Sequence, residues 1–592
     1  MPFTLHHEVR ILDARAHLLE VETTVARDAA IVQSLVLFMP VWTPGSYLVR
    51  EYARHVESFS GGHAVKVRKN AWRVDAKGEA SVRVRYRLYC NELTVRTNHI
   101  DETHALLNGA ATFLAIEGHE HTRATVKLHL PEGWHVATAL TETGEGLLHA
   151  PDLDTLADCP IVMGLHQQAS FPVLGKKHEL VVWPADAASP ADRARLTTDA
   201  TTIMGSLAGL FGGTLPYERY LFLLHLSPRG RGGLEHRSCC TLLASPSCFA
   251  TRSGYLDLLS LFAHEALHAW NVKRIRPEGL TPYRYQEENY TRLLWWFEGA
   301  TSYFDWLTLR ASKLCTVEEY LEHLATEIGQ LEVTHGRLVH SLEDASFDAW
   351  IKLYRPDENS TNSTVSYYRK GEIVCALLDL ELLGRTGGRV GLRDVLRHLW
   401  EAFGVPELAV PERGMQEIFE HVAGVPLGDL FDRWIRAPGT IDYGPTLARV
   451  GLRLDRPSRD PGEGAAAKGG VRVSLGLRTR GDAGRTMVTS VVRGAAAQRG
   501  GIDPGDELVA IAGKRVEAGS LDSVLMGCSP GDVVPVVVAR DGRLASRSVT
   551  LDEPRPEKVK LLPRLDASSM ERALFVSWLS DLHPAWSSQK KS

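Results

Sequence analysis

Two histidines one helical turn apart, with a carboxylate beside the first, have the residue types and spacing to do chemistry. They are His264 and His268, with Glu265 next to the first, in the stretch His264-Glu265-Ala266-Leu267-His268. Residues i and i+4 share one face of a helix, so both imidazoles can bind one metal ion while Glu265 acts on water beside it. The pattern predicts a zinc site with a glutamate base.

The residues around this motif predict the helix that must present it. An apolar run, Tyr255–Phe262, precedes the motif, and Ser253 is a candidate cap for the start of the helix. Pro277 bars continuation beyond Arg276, so the expected helix spans residues 253–276. A chance match of the five-residue pattern, on a surface helix or with core histidines, is the alternative. A third metal ligand decides between them.

A third ligand is available downstream, in the apolar stretch Leu294–Thr301. Its one carboxylate, Glu298, needs a partner because an unpaired charge is costly to bury. Zinc is such a partner, since two histidines and Glu298 leave the fourth position for water. An ion pair between Glu298 and Arg292 is the alternative. The expected cofactor is one Zn²⁺ per chain.

Longer segments around these residues resemble a known family. The run HEALHAWNVKRIRP at residues 264–277 and the segment Trp295–Gly299 closely resemble the glycyl aminopeptidase family of gluzincin metallopeptidases, whose members often carry a PDZ domain. The resemblance extends upstream to residues 41–51, VWTPGSYLVRE, and downstream to residues 367–371, YYRKG. It covers most of the chain and implies a zinc aminopeptidase.

The resemblance gives a role to the stretch Gly232-Gly233-Leu234-Glu235-His236, which is similar to the Gly-x-Met-Glu-Asn edge-strand motif of gluzincin aminopeptidases. It implies that Glu235 binds the substrate ammonium. Gly232 and Gly233 would let the backbone approach the peptide as an added strand. The chain departs from the motif by having His236 in place of asparagine. The alternative is a Gly-Gly turn with a solvated acid.

Tyr368 aligns with a tyrosine that, in related aminopeptidases, donates a hydrogen bond to the tetrahedral oxyanion. Tyr367 precedes it directly, and successive residues on a helix point in different directions, so only one of the two can face the metal. We prefer Tyr368. The alternative is that both rings pack at the start of the apolar helix Ile373–Leu383.

The implied reaction is removal of N-terminal residues from peptides, and the expected preference for Gly or Ala comes only from the resemblance. Zinc would polarise the scissile carbonyl, while Glu265 takes a proton from water and later delivers it to the leaving amine. Asp305, two turns beyond Glu298, is a candidate for orienting an imidazole. Thermolysin-like relatives have an acid where this chain has Ser302. A zinc endopeptidase and a PDZ-based peptide-binding scaffold with a vestigial peptidase site are the alternative functions.

The hydrophobic periodicity predicts a multidomain α+β chain. Period-two alternation, as at residues 82–88, predicts an N-terminal antiparallel β domain over residues 1–172. A helical pattern over residues 173–450 predicts a mainly helical catalytic domain that resembles thermolysin-like peptidases, and a Gly-, Pro- and Ala-rich stretch at 451–470 predicts a linker. Residues 471–556 resemble a PDZ domain, and residues 557–592 are a C-terminal extension.

A PDZ domain would bind an extended peptide or a C-terminus as an added strand, here beside Gly476 and Leu477. The alternative is a packing module without an external ligand. The expected partners are therefore peptide substrates with a free N-terminus and a possible peptide or C-terminus ligand of the PDZ domain.

Composition excludes several other classes of protein. The 592 residues include 67 basic and 72 acidic side chains, a formal net charge of −5, which does not favour nucleic acid or anionic membrane as a partner. The eight cysteines are scattered rather than patterned as a disulfide framework. The first residues lack a basic segment followed by an apolar one, so we expect a cytoplasmic protein.

Overall fold

The computed structural model describes residues 2–456, 473–553 and 558–587. It falls into two units, the first built mainly from residues 1–291 and the second mainly from residues 316–392 and 419–592. The strands of the N-terminal part are β1 (Thr4–Asp13), β2 (Leu18–Ala26), β3 (Leu35–Phe38), β4 (Val56–Gly61), β5 (Val65–Arg68), β6 (Ala71–Val74), β7 (Ser81–Tyr89), β8 (His99–Ile100), β9 (His104–Leu107), β10 (Ala115–Ile116), β11 (Arg123–His129), β12 (His135–Thr138), β13 (Thr141–Thr143), β14 (Leu147–Ala150) and β15 (Ile161–Gly164).

Period-two alternation produces these strands, as β7 shows. Its apolar residues Val82, Val84, Tyr86 and Leu88 are buried, and the residues between them are exposed. The strands pair in three sheets, in the orders β13-β14-β11-β1-β2-β7-β4, β10-β3-β6-β5 and β12-β15-β9-β8. Pairing is antiparallel except between β1 and β11, which run parallel. The predicted N-terminal β fold is confirmed.

A mixed sheet and two long helices follow in the first unit. The strands are β16 (Gln167–Val173), β17 (Lys176–Trp183), β18 (Arg219–Leu226), β19 (Gly232–Glu235) and β20 (Cys239–Ala244), in the order β16-β17-β18-β20-β19. Strand β19 therefore lies at one edge of this sheet. Two short helices, α1 (Gly109–Thr112) and α2 (Leu153–Ala157), lie among the N-terminal strands, and the two long helices of this region are α3 (Pro190–Leu210) and α4 (Arg252–Leu267). Helix α4 packs against β19 and β20.

The chain after α4 is mainly helical, as predicted. Its helices are α5 (Leu294–Phe297), α6 (Gly299–Ala311), α7 (Val317–Val333), α8 (Leu342–Phe347), α9 (Ser360–Ser363), α10 (Tyr367–Thr386), α11 (Leu392–Leu399), α12 (Met415–Ala423), α13 (Gly428–Leu430) and α14 (Gly444–Ala448). Two short strands, β21 (Arg276–Pro277) and β22 (Ala409–Val410), pair in parallel. Ser366 caps the start of α10, and Gly387, at a φ of 64°, ends it in the left-handed conformation.

The PDZ-like region lies between two strands that pair with each other. These are β23 (Leu452–Asp455), at the start of the predicted linker, and β30 (Lys560–Pro563), which run antiparallel. Between them the chain forms β24 (Leu477–Asp482), β25 (Arg485–Val491), α15 (Ala496–Arg499), β26 (Glu507–Ile511), β27 (Lys514–Arg515), α16 (Leu521–Leu525), β28 (Val533–Arg540) and β29 (Arg543–Thr550). The strand order is β24-β25-β26-β28-β29. Residues 457–470 of the predicted linker lie outside the described residues.

The C-terminal segment packs on the helices of the second unit. It forms α17 (Ser569–Leu579) and α18 (Pro584–Ser587), and a capping box of Ser568 and Glu571 starts α17. Trp578 is buried and donates from Nε1 to the Tyr303 hydroxyl at 2.9 Å. Its ring meets that of Tyr320 edge to face, with centroids 5.6 Å apart. Among the described residues, no helix has the length and apolar character needed to cross a membrane.

Two buried histidines of the first unit make its stability depend on pH. Nε2 of His104 lies 2.9 Å from Nε2 of His225, so one neutral ring donates and the other accepts. Burial lowers the pKa of His225 to about 4 and that of His104 well below its usual value. The unfolded state thus binds more protons between pH 6.5 and 4, and stability is lost as the pH falls through this window.

We expect the pKa shift of His225 alone to cost about 2 kcal/mol between pH 7 and pH 5. Thermal unfolding followed at both pH values tests this prediction. A His225→Asn variant should lose part of the pH dependence, whereas His63→Asn, at an exposed position, should keep all of it. Equal pH dependence in both variants would contradict the assignment.

Candidate active site

Helix α4 presents the two histidines, but its ends differ from those predicted. Thr251 caps the helix in place of Ser253 by accepting a hydrogen bond from the Gly254 N–H, and the helix stops at Leu267 rather than at Arg276. It stops because the next residues fold into a tight turn. There the Asn271 carbonyl accepts a hydrogen bond from Nδ1 of His268 at 2.7 Å, which a continuing helix would not allow.

Both imidazoles are held by Nδ1. His264 Nδ1 lies 3.0 Å from Oδ2 of Asp305, the residue that was a sequence-based candidate for orienting an imidazole. His268 Nδ1 bonds to the Asn271 carbonyl. Because a histidine that donates from Nδ1 carries its lone pair on Nε2, both rings are in the tautomer that binds metal through Nε2.

The ligand atoms expected to bind zinc come together. His264, His268 and Glu298 each offer one, and these three atoms lie within 4.8 Å of one another. Glu298 follows α5 directly and is 2% exposed. Arg292, its alternative partner, forms an ion pair with Asp344 at 2.9 Å. Two imidazole nitrogens and one buried carboxylate are the donors that a catalytic zinc site uses, so the residues present fit the metal.

Glu265 faces the edge strand β19. It is buried, and a Cβ added at Gly233 would overlap its carboxylate. Only a residue without a side chain therefore fits beside Glu265 at this point of the strand. The requirement for glycine here is steric, which is a stronger constraint than the backbone flexibility proposed from the sequence.

Glu235 lies at the end of β19 and is 3% exposed, so it is not the solvated acid of the alternative interpretation. Ligand atoms of Glu235, Glu265 and His268 lie within 4.8 Å of one another. A Cβ added at Gly45, in the N-terminal segment 41–51, would overlap the Glu235 carboxylate. The strand thus places a second buried carboxylate beside the general-base candidate, and residues 41–51 cover it.

A buried ion pair supports this end of β19. Lys273 and Asp158 are joined at 2.8 Å, and Nδ1 of His236 lies 3.3 Å from the same Asp158 oxygen. Burial alone would lower the pKa of Lys273, but Asp158, Tyr283 and Glu235 together raise it above its usual value. Lys273 is therefore charged. His236, which replaces the asparagine of the related motif, serves here as a partner of Asp158.

Tyr368 lies at the start of α10 and near Glu298. Burial, and then the charge of Glu298, raise the pKa of its phenol well above the usual value, so the phenol keeps its proton and can donate it. The Tyr354 hydroxyl lies 3.2 Å from that of Tyr368. Tyr367 is fully buried and stacks on Tyr368, with centroids 4.7 Å apart. The Tyr367 ring therefore packs against the Tyr368 ring, as in the alternative interpretation of this pair.

Tyr354 and Gly45 contact these candidates but were not predicted as site residues. Gly45 lies in the segment 41–51 that carried the family resemblance, but the resemblance did not indicate that Gly45 approaches Glu235. Tyr354 lies in no motif. Its position became visible only with the fold.

Family models match three parts of the chain. They are the peptidase M61 N-terminal domain at residues 6–165, the M61 glycyl aminopeptidase domain at residues 257–374 and a PDZ domain at residues 473–551. Among solved structures, an aminopeptidase N family protein from Idiomarina loihiensis is 27% identical, and the match covers 98% of this chain and 100% of that chain with a TM-score of 0.89. The chain is a zinc metallo-aminopeptidase whose N-terminal and catalytic domains are similar to those of M61 peptidases. These matches confirm the resemblance and the multidomain α+β fold.

A more distant solved structure matches part of this chain. An M1 zinc metallopeptidase from Deinococcus radiodurans is 15% identical over 75% of this chain and 94% of that chain, with a TM-score of 0.46. A search of curated proteins found no match.

Proposed function

We propose that this M61 peptidase removes N-terminal Gly or Ala from peptides, with one zinc ion held by His264, His268 and Glu298. When bound there, zinc supplies Lewis-acid chemistry that polarises the scissile carbonyl and makes water a better nucleophile. The two imidazoles, fixed through Nδ1, and the buried Glu298 carboxylate hold it.

Glu265 moves the proton in this mechanism. Its carboxylate accepts a proton from the attacking water and then delivers it to the leaving amine. The overlap of a Cβ at Gly233 with this carboxylate supports the role, since it shows that Glu265 faces the strand along which a peptide would bind. Tyr368, with its protonated phenol near Glu298, donates a hydrogen bond to the developing oxyanion.

The burial of Glu235 is the observation that carries the exopeptidase assignment. This carboxylate is 3% exposed, lies close to Glu265 and His268, and interacts with the positive charge of Lys273. Because Lys273 forms its direct ion pair with Asp158, at 2.8 Å, the Glu235 carboxylate can also bind the ammonium of a free N-terminus. An endopeptidase, whose substrate has no ammonium there, would not use a second buried carboxylate beside Glu265.

The preference for a small first residue has a steric basis in this proposal. Residues 41–51 reach the Glu235 carboxylate at Gly45, where even a methyl group would overlap it. A substrate ammonium bound to Glu235 thus lies against backbone, which leaves little room for a large first side chain. The M61 glycyl aminopeptidase model, which matches residues 257–374, is in line with this preference.

The PDZ domain offers an edge strand for binding in this proposal. Among the described residues, strand β24 is at the end of its sheet, so an extended peptide or C-terminus can add beside Gly476 and Leu477. The alternative function is a peptide-binding scaffold with a vestigial peptidase site. It does not account for the intact set of candidate residues for metal binding and proton transfer, which are His264, Glu265, His268 and Glu298.

Hydrolysis of one peptide series with free and acetylated N-termini tests the function. We expect the free peptides to be cleaved and the acetylated ones not. Glu235→Gln should lower kcat/KM for the free peptides by about 30-fold or more, because the ammonium loses a buried ion pair. Glu218→Gln, at a side chain that is 89% exposed, is the matched control and should behave as wild type.

Two outcomes would contradict the proposal. Equal cleavage of acetylated peptides would make the enzyme an endopeptidase. Loss of zinc from Glu235→Gln would mean that Glu235, Glu265 and His268 form the metal site, since these residues also offer three clustered ligand atoms.

A further inference from the structure

An arginine from the N-terminal β domain contacts the edge strand β19. Arg96 is half-buried and donates from Nη2 to the Gly233 carbonyl at 3.2 Å. Its Nη1 lies on the side of Gly232, at 3.6 Å from the position of a Cβ added there. A guanidinium group carries five N–H donors in a planar fork.

This contact places a positive charge close to the reacting groups. Gly233 lies directly against the Glu265 carboxylate on its Cβ side and against Arg96 on its carbonyl side. Arg50 adds a second positive charge near Glu235, since it donates to the Ser46 hydroxyl at 2.9 Å and Ser46 follows the Gly45 that covers Glu235.

The direction of a bound peptide follows from the two ends of β19. A substrate with its ammonium at Glu235 cannot extend past that end, because His236 is 1% exposed and bonds to Asp158. It must run along β19 towards Gly233 and Gly232. The guanidinium of Arg96 lies in its path.

The spacing along this path matches a short peptide. One residue of extended chain advances about 3.3 Å, so Gly233 and Gly232 lie about 7 and 10 Å along the strand from Glu235. An extended dipeptide or tripeptide spans about the same distances from its ammonium to its carboxylate. A planar guanidinium at that position matches the geometry of a carboxylate.

We propose that Arg96 binds the C-terminal carboxylate of dipeptide and tripeptide substrates, so that the enzyme is selective for short peptides with two free ends. This inference rests on the proposed aminopeptidase function, with Glu235 at the substrate ammonium. It assigns the two ends of the substrate to two side chains of opposite charge, one at each end of β19.

The test compares triglycine with triglycine amide on the full-length enzyme. For wild type we expect kcat/KM for the free acid to exceed that for the amide by about 10- to 100-fold, the contribution of a charge-assisted hydrogen-bond pair. In Arg96→Gln, which keeps an amide donor for Gly233, the ratio should fall to about 1. Arg96→Lys should keep an intermediate ratio, and Arg15→Gln, at a side chain that is 83% exposed, should keep the wild-type ratio.

Two results would overturn the inference. One is a wild-type kcat/KM for triglycine that equals the value for triglycine amide. This result needs no variant and would show that the enzyme does not recognise the C-terminal carboxylate. The other is an equal loss on acid and amide in Arg96→Gln, which would make Arg96 only a support for β19. Hydrolysis of glycine arylamide, which has no carboxylate, separates these results from failure of the proposed function: if wild type does not cleave it or either triglycine substrate, the aminopeptidase assignment itself fails.

Discussion

Glu265→Gln is expected to lower kcat/KM for glycine arylamide by about 10²- to 10⁴-fold, the usual contribution of a positioned general base. Glutamine has nearly the same size but accepts no proton. The metal-binding residues are unchanged, so the zinc content should equal that of wild type. Metal analysis and steady-state kinetics on the same preparation measure both quantities.

His268→Ala is the matched variant for this experiment. It removes an imidazole whose Nδ1 is fixed by the Asn271 carbonyl, and we expect it to lose both zinc and activity. The two variants therefore separate proton transfer from metal binding. Should Glu265→Gln also lose zinc, Glu265 would be a ligand and not the base.

Trp578→Ala is expected to have the largest effect on stability, about 3–5 kcal/mol, because it empties a large buried site in the core of the second unit. Trp578 is 1% exposed, packs on Tyr320 and donates to the Tyr303 hydroxyl. Tyr303 in turn bonds to Asp379 of α10 at 2.5 Å. Removing the indole thus opens a cavity and also takes a partner from a buried hydroxyl.

Thermal unfolding of the full chain measures this effect. A shift on the order of 10 °C is expected for the transition of the second unit. Met570→Ala, on the same helix but 62% exposed, should shift it by less than about 1 °C. Equal shifts in the two variants would show that α17 contributes little to the stability of this unit.

Local patterns in the sequence were sufficient to predict the parts of this enzyme that depend on local structure. Alternation at residues 82–88 predicted β7, because one face of that strand is buried. The spacing of His264 and His268 predicted a shared helix face, and the position of Asp305, two turns beyond Glu298, suggested it as an orienting partner. The end of α4 was predicted wrongly because the residues after Leu267 fold into a tight turn, with a hydrogen bond between His268 and the Asn271 carbonyl, and the sequence pattern does not indicate that turn.

Contacts between distant parts of the chain left no such pattern. Arg96 and Gly233 are 137 residues apart, and nothing around Arg96 resembles a binding motif. The pairing of β23 with β30 joins segments on either side of the PDZ domain, where composition indicates only a linker. Both features depend on which strands become neighbours, and residue types alone do not specify that.

The pairing of β23 with β30 also sets the order in which the newly made chain can fold. The ribosome completes β23, then the whole PDZ domain, and only afterwards β30 and the helix that carries Trp578. At about 5–20 residues per second, synthesis from Asp455 to Lys560 takes on the order of 5–20 s. During that interval the PDZ domain can fold, whereas the second unit still lacks the Trp578 side chain that packs on Tyr320. We therefore expect each new molecule to fold its PDZ domain before its catalytic part is complete.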